Sequence, residues 1–195
     1  MRRLHVIGRK NHGKTTLVAQ LVEELTRRGW RIGTIKHTHH HHELDTPGKD
    51  SHRHRMAGSH VVGILSPRMN AVFWEPAASD DRDGSQESSG DSGGNRYAEF
   101  ERFMQACDLV LVEGDSQTDA DKIEVWRAGL DSRPIATEQP GVLALVTDDL
   151  SPAQTQEPTT DASSTPQVFP RSDLLPLLNW IESRCRGVRG RGSSA

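Results

Sequence analysis

Gly8-Arg9-Lys10-Asn11-His12-Gly13-Lys14-Thr15 fits the phosphate-binding pattern G-x-x-x-x-G-K-[ST]. A short apolar run, Leu4-His5-Val6-Ile7, precedes it, and an amphipathic stretch, Thr16 to Arg28, follows. The loop therefore falls between a strand and a helix N-terminus, where successive backbone N–H groups and the positive end of the helix dipole face an anion. Gly8 and Gly13 permit close backbone approach, Lys14 reaches the β/γ-phosphates of a nucleoside triphosphate, and Thr15 offers a hydroxyl to Mg²⁺. Binding of such a nucleotide is the expectation this stretch sets.

The flanking pattern repeats along the chain. Leu4–Gly8 is expected as a strand. Thr15–Arg28 is expected as a helix, with Leu17, Val18, Leu21, Val22 and Leu25 at helical spacing and Gly29 as its C-cap. Trp30–Lys36 reads as a second strand, 37–48 as a polar loop and 49–58 as a helix closed by Gly58. Two apolar runs, His60–Ser66 and Ala71–Glu75, are separated by Pro67-Arg68-Met69-Asn70, which predicts a β-hairpin. Residues 96–106 read as helical, and Asp108–Glu113, Lys122–Arg127 and Val142–Thr147 as strands. A closing amphipathic helix is expected over 171–186. Strands alternating with helices predict an α/β domain whose mainly parallel sheet carries helices on both faces. With 195 residues the expectation is one domain, 1–195, interrupted by two low-complexity segments. Residues 76–95 form a flexible Ser-, Asp- and Gly-rich acidic insertion, and 148–166 a linker before the last helix.

Charge is unevenly distributed. Residues 1–60 hold 12 Lys/Arg and 5 Asp/Glu, whereas 61–195 hold 12 and 22. The basic part coincides with the phosphate loop. An anionic cofactor explains it more economically than nucleic acid, because no aromatic-rich basic stripe accompanies it. Cys107 and Cys185 have no metal-type spacing and read as free thiols of a reducing cytoplasm. Met1-Arg2-Arg3 leads into a short strand rather than a signal peptide, and no apolar run approaches the length of a membrane span.

Three further groups bear on chemistry. All 10 histidines lie within residues 1–60, five of them in Lys36-His37-Thr38-His39-His40-His41-His42. That run follows the second strand, near the sheet edge where ligands sit. It reads as a solvated loop, as anion contacts or as metal ligands. Adjacent histidines cannot all address one ion. Asp45-Thr46-Pro47-Gly48-Lys49-Asp50-Ser51 adds carboxylates and a lysine. In Asp108-Leu109-Val110-Leu111-Val112-Glu113-Gly114, Glu113 ends the strand and is placed to serve Mg²⁺, while Asp108 opens the strand at the far edge. Asp148, after a late strand, is either a reader of guanine N1–H and the 2-amino group or part of an acidic turn; the [NT]-K-x-D guanine signature is absent.

The phosphate loop, followed by Ile35-Lys36-His37-Thr38-His39-His40, by Asp45-x-Pro47-Gly48-Lys49-Asp50-Ser51, by Ala57-Gly58 and by Leu111-Val112-Glu113-Gly114, resembles the molybdopterin-guanine dinucleotide biosynthesis adaptor family over about residues 3–150. The resemblance implies a P-loop NTPase fold with a β-hairpin extension, generally homodimeric. It implies binding of GTP with Mg²⁺, slow hydrolysis, and assistance to the guanylyltransferase that attaches GMP to molybdenum-bound molybdopterin, itself a possible ligand. Carried onto this chain, it implies that Gly8, Asn11, Gly13, Lys14, Thr15 and Thr16 hold the nucleotide; His12, within the loop, and Asp148 are nucleotide-site candidates read from the residues themselves. Lys36 and His37 would lie toward phosphate or pterin, and Lys49, read from the Asp45–Ser51 segment, is a further phosphate-side candidate. Thr15, Asp45 and Glu113 would serve the metal, and Lys14 and Glu113 catalysis. Two positions depart from the family. His12 stands where a small residue is usual, and Asp115-Ser116 replaces Phe-Lys after Gly114, with Lys122 as a candidate substitute for the lost lysine. A His-rich metallochaperone GTPase and a small-molecule kinase are the competing readings. Slow turnover fits the absence of a clear arginine finger or water-positioning glutamine in the sequence.

Overall fold

Every side chain from Leu109 to Val112 is at most 1% exposed. A strand buried on both faces belongs inside a parallel sheet. The computed structural model, which describes residues 1–38, 43–75, 96–130, 132–149 and 165–185, has that arrangement. Six strands, β1 (Arg3–Ile7), β2 (Ile32–Lys36), β5 (Leu109–Glu113), β6 (Lys122–Val125), β7 (Val142–Val146) and β8 (Gln167–Phe169), form one sheet in the order β2-β5-β1-β6-β7-β8. Every neighbouring pair in it is parallel.

Alternation along the strands sorts side chains to two faces. On one face Leu4, Val6, Leu109, Leu111, Ile123, Val125, Ala144 and Val146 pack against α1 (Lys14–Arg27) and α4 (Leu175–Cys185). On the other, Ile35, Val110 and Val112 meet Tyr97, Phe100 and Met104. These come from a 3₁₀ turn, Arg96–Phe100, that runs into α3 (Glu101–Met104). Ile7 and Val142 meet Ile135, from the 3₁₀ turn Ile135–Thr137. Helix α1 buries Leu17, Val18, Leu21 and Leu25. Its end is tied to α4, because Glu182 accepts from the Trp30 indole N–H at 3.1 Å and from Arg28 at 3.2 Å.

The residues divide into two compact units, Met1–Thr38 with Tyr97–Ala195, and His39–Arg96. The second contains α2 (Asp50–Met56) and the expected hairpin, β3 (Val61–Ile64) antiparallel to β4 (Ala71–Trp74). The expected insertion 76–95 and most of the expected linker, 150–164, lie outside the described residues.

Residues 96–106, expected as helical, are a 3₁₀ turn over Arg96–Phe100 that runs into the short α-helix Glu101–Met104. No strand is expected between the 148–166 linker and the last helix, and β8 adds one at the sheet edge. Three residues, Gln167-Val168-Phe169, are too few for alternation to announce a strand, and pairing with β7 is what makes them one. The closing helix starts at Leu175, where Asp173 accepts the Leu175 N–H at 3.0 Å.

Candidate functional site

The phosphate loop leaves β1 and enters α1 at the C-terminal edge of the sheet. Gly8 is required by contact: a Cβ there would lie 2.5 Å from the Val125 carbonyl oxygen, and its φ is +144°. Gly13, at φ +99°, is the residue from which α1 starts, and Asn11 also has positive φ at 68°. Turns of this kind can present backbone N–H groups to an anion, and the loop ends on the helix dipole.

Lys14 folds back across the loop, its Nζ donating to the carbonyls of Gly8 at 2.8 Å and Arg9 at 2.9 Å. Burial holds its pKa below the usual lysine value. Glu113 works against that shift and Lys36 adds to it. Thr15 Oγ1 donates to Glu113 Oε1 at 2.6 Å. Thr15 and Glu113 are 98 residues apart in sequence and meet because β5 lies directly beside β1. A threonine hydroxyl and a carboxylate at the lip of a phosphate loop are the hard oxygen donors Mg²⁺ takes. Thr16 lies exposed in the first turn of α1. Lys36 ends β2 in register with Glu113, and the His37 N–H donates to the Glu113 carbonyl at 2.9 Å. The structure thus brings Lys14, Thr15, Lys36, His37 and Glu113 to one edge.

The other expected residues have different settings. His12 is 1% exposed and its ring points into the fold. Its Nδ1 accepts the Arg127 N–H at 3.0 Å, so in the neutral ring Nε2 carries the proton and meets Ser132 Oγ at 3.0 Å. Burial, then the charges of Lys14, Arg127 and Arg9, keep its pKa below the usual value. The imidazole is therefore a clamp between the loop and the segment after β6.

Asp148 lies just after β7, and its Oδ1 accepts from the Arg171 N–H at 2.8 Å, the Ser172 N–H at 2.9 Å and Ser172 Oγ at 2.8 Å. The Ser172 N–H contributes most to holding its pKa low. It closes the turn between β8 and α4. Asp45 and Lys49 belong to the second unit. There Asp45 Oδ1 accepts from the Thr46 N–H at 2.8 Å and Ser51 Oγ at 2.9 Å, which explains the Asp45…Ser51 spacing as a turn closure before α2. His39–His42 lie outside the described residues. Among the described residues no group of three or more His, Cys, Asp or Glu is set to hold a metal.

Both departures have structural settings. Asp115 Oδ2 accepts from the Tyr97 hydroxyl at 2.6 Å and lies 4.0 Å from His5 Nδ1. Lys122 is buried, its Nζ donating to the Thr118 carbonyl at 2.8 Å, so it does not replace the lost lysine. Asp108 pairs with Arg31 at 3.1 Å across the opening of β2 and β5, away from the loop.

A family model described as Molybdopterin guanine dinucleotide synthesis protein B matches residues 3–148. The chain belongs to this family. A "Molybdopterin-guanine dinucleotide biosynthesis adapter protein" of Haemophilus influenzae is 32% identical over 178 residues, 91% of this chain and 88% of that protein. The protein of the same name from Escherichia coli is 34% identical over 122 residues, 63% of each chain. In fold the chain is similar to the Bacillus subtilis MobB crystal structure (TM-score 0.62, 19% identity, 94% of this chain and 98% of that one). It is also similar to a MobB homologue from Bacillus stearothermophilus (TM-score 0.56, 21% identity, 96% and 99%). The MobB fold is a P-loop NTPase fold, and the parallel sheet with its loop between β1 and α1 is that fold in this chain. Among the described residues no helix is long and apolar enough to cross a membrane.

Proposed function

We propose that this MobB-family chain binds GTP with Mg²⁺ and acts as an accessory protein in molybdenum cofactor maturation. In this role it assists the guanylyltransferase that attaches GMP to molybdenum-bound molybdopterin. The observation that carries the nucleotide reading is the Thr15–Glu113 contact at 2.6 Å beside the glycine loop. The adapter names of relatives with family-level identity support the pathway. Lys14 exchanges the Gly8 and Arg9 carbonyls for phosphate oxygens, and Thr15 and Glu113 hold the metal directly or through water. Mg²⁺ at that place would neutralise charge on the β- and γ-phosphates. Lys36 adds positive charge at the same edge. Turnover is slow in this account, because hydrolysis without a supplied arginine forgoes about 10³–10⁵ in rate.

A homodimer through the hairpin unit is part of the proposal. Val61, Ile64 and Val72 lie exposed on β3 and β4, and a two-stranded sheet offers open edges. The test of the site is Glu113→Gln. It should remove most of the Mg²⁺-dependent gain in GTP affinity while leaving Mg²⁺-free binding in place. An unchanged Mg²⁺ dependence would rule out Glu113 as the metal-side carboxylate.

A further inference from the structure

Arg127 follows β6 and lies on the flank of the phosphate loop opposite Glu113, since β5 and β6 border β1 on its two sides. Its guanidinium covers Gly13: a Cβ built on that glycine would lie 3.3 Å from Arg127 Nη2. The backbone of Arg127 is fixed there by its N–H bond to the His12 ring. Arg171, in the turn after β8, stands at the same edge of the sheet. Its backbone N–H is fixed by Asp148 at 2.8 Å, yet its side-chain Nε is buried with no hydrogen-bond partner. Arg9, Arg27, Arg28, Arg31, Arg55 and Arg184 each have an ion pair, whereas among the described residues neither Arg127 nor Arg171 has one.

An arginine with a buried, unmet donor is costly unless a ligand meets it. Arg127, whose side chain is exposed, brings a second positive charge to this edge, and like charges repel. Burial first, and then the charge of Arg127, keep the Arg171 pKa below the usual arginine value, while Asp148 offsets part of the effect. A ligand with several negative oxygens relieves both penalties. The guanidinium fork matches phosphate in geometry.

We propose that Arg127 and Arg171 form a second anion subsite of the nucleotide pocket, contacting the phosphate chain on the side away from Thr15 and Glu113. The inference rests on the nucleotide reading above and names which residues, beyond the glycine loop, complete that site. Because it grips phosphate rather than base, the subsite serves guanine and adenine nucleotides alike. Neither the loop pattern nor the composition announces these two arginines, whose role here is to hold the phosphate chain and not to supply the arginine that speeds hydrolysis.

The experiment is calorimetric titration of the full chain, with Mg²⁺, using GTP, GDP and ATP as probes. Wild type, Arg127→Gln, Arg171→Gln, Arg127→Lys and Arg184→Gln are compared, with thermal unfolding of each. Arg127→Gln and Arg171→Gln should each weaken GTP and GDP by about tenfold or more, the loss expected for a charge-assisted contact. Whatever ATP affinity the wild type has should fall by the same factor. Arg127→Lys should recover part of the affinity, and Arg184→Gln, on the far edge, should change none of it. GTP affinity within about twofold of wild type in both glutamine variants would overturn the subsite. A loss confined to guanine nucleotides would overturn it too, because the arginines would then read the base. If one variant fails to fold, the other carries the test. A wild-type chain that binds no nucleoside triphosphate would refute the nucleotide reading itself, an outcome distinct from normal binding by the variants.

Discussion

His5 is fully buried on β1, with its Nδ1 3.4 Å from the Gly114 carbonyl oxygen and its ring edge-on to Tyr97. Burial lowers its pKa from 6.5 to about 4. Asp115 and Gly114 resist that shift, while Arg3 and His37 reinforce it. The unfolded chain therefore takes up a proton near pH 6.5 that the folded chain refuses until about pH 4. The stability His5 contributes is complete above pH 6.5 and is lost as pH falls through that window. At about 1.36 kcal/mol per pH unit, the loss reaches at most about 3 kcal/mol by pH 4. His12, also with a lowered pKa, adds a loss of the same sign. The assay is urea unfolding at intervals between pH 7.5 and 4 for wild type and for His5→Asn, which keeps a neutral donor. The difference in pH slope between the two isolates His5 from every other group. His5→Asn should flatten the decline, whatever it does to stability at pH 7.5. Parallel slopes for the two proteins would refute the reasoning.

Two other outcomes follow from the geometry. Lys14→Ala should weaken GTP by about a hundredfold, since two charge-assisted contacts are lost, while the unfolding midpoint stays near wild type; retained affinity would show that the loop does not bind the nucleotide as described. Replacing exposed hairpin residues, Val61→Lys with Val72→Glu, should shift sedimentation from dimer to monomer without loss of GTP binding, and an unchanged mass would remove the hairpin from the interface.

The fold was legible where several signals agreed. The loop glycines, the apolar run before them and the amphipathic helix after them placed β1 and α1 to within a residue or so. The continuous apolar run at Leu109–Val112 gave β5, and with it the position of Glu113. Asp108 was correctly read as a strand-opening residue, because its place on the strand sets which sheet edge it occupies. What the sequence hid depends on contacts distant along the chain. His12 sits inside a binding motif, but only the approach of Arg127 and Ser132 turns its ring into a clamp. Asp148 could read a base or close a turn, and the donors of Arg171 and Ser172 give it the turn. Arg127 and Arg171 belong to no motif, and nothing in their local sequence signals that two strands deliver them to one edge.

The most direct test of the account is a competition titration of GTP against ATP, with Mg²⁺, on the purified chain, followed by single-turnover hydrolysis. The account predicts a clear GTP preference and unassisted turnover well below about 1 s⁻¹, the low end of kinase rates. Equal or tighter ATP binding would contradict the GTP-dependent accessory role and favour a small-molecule kinase on the same loop.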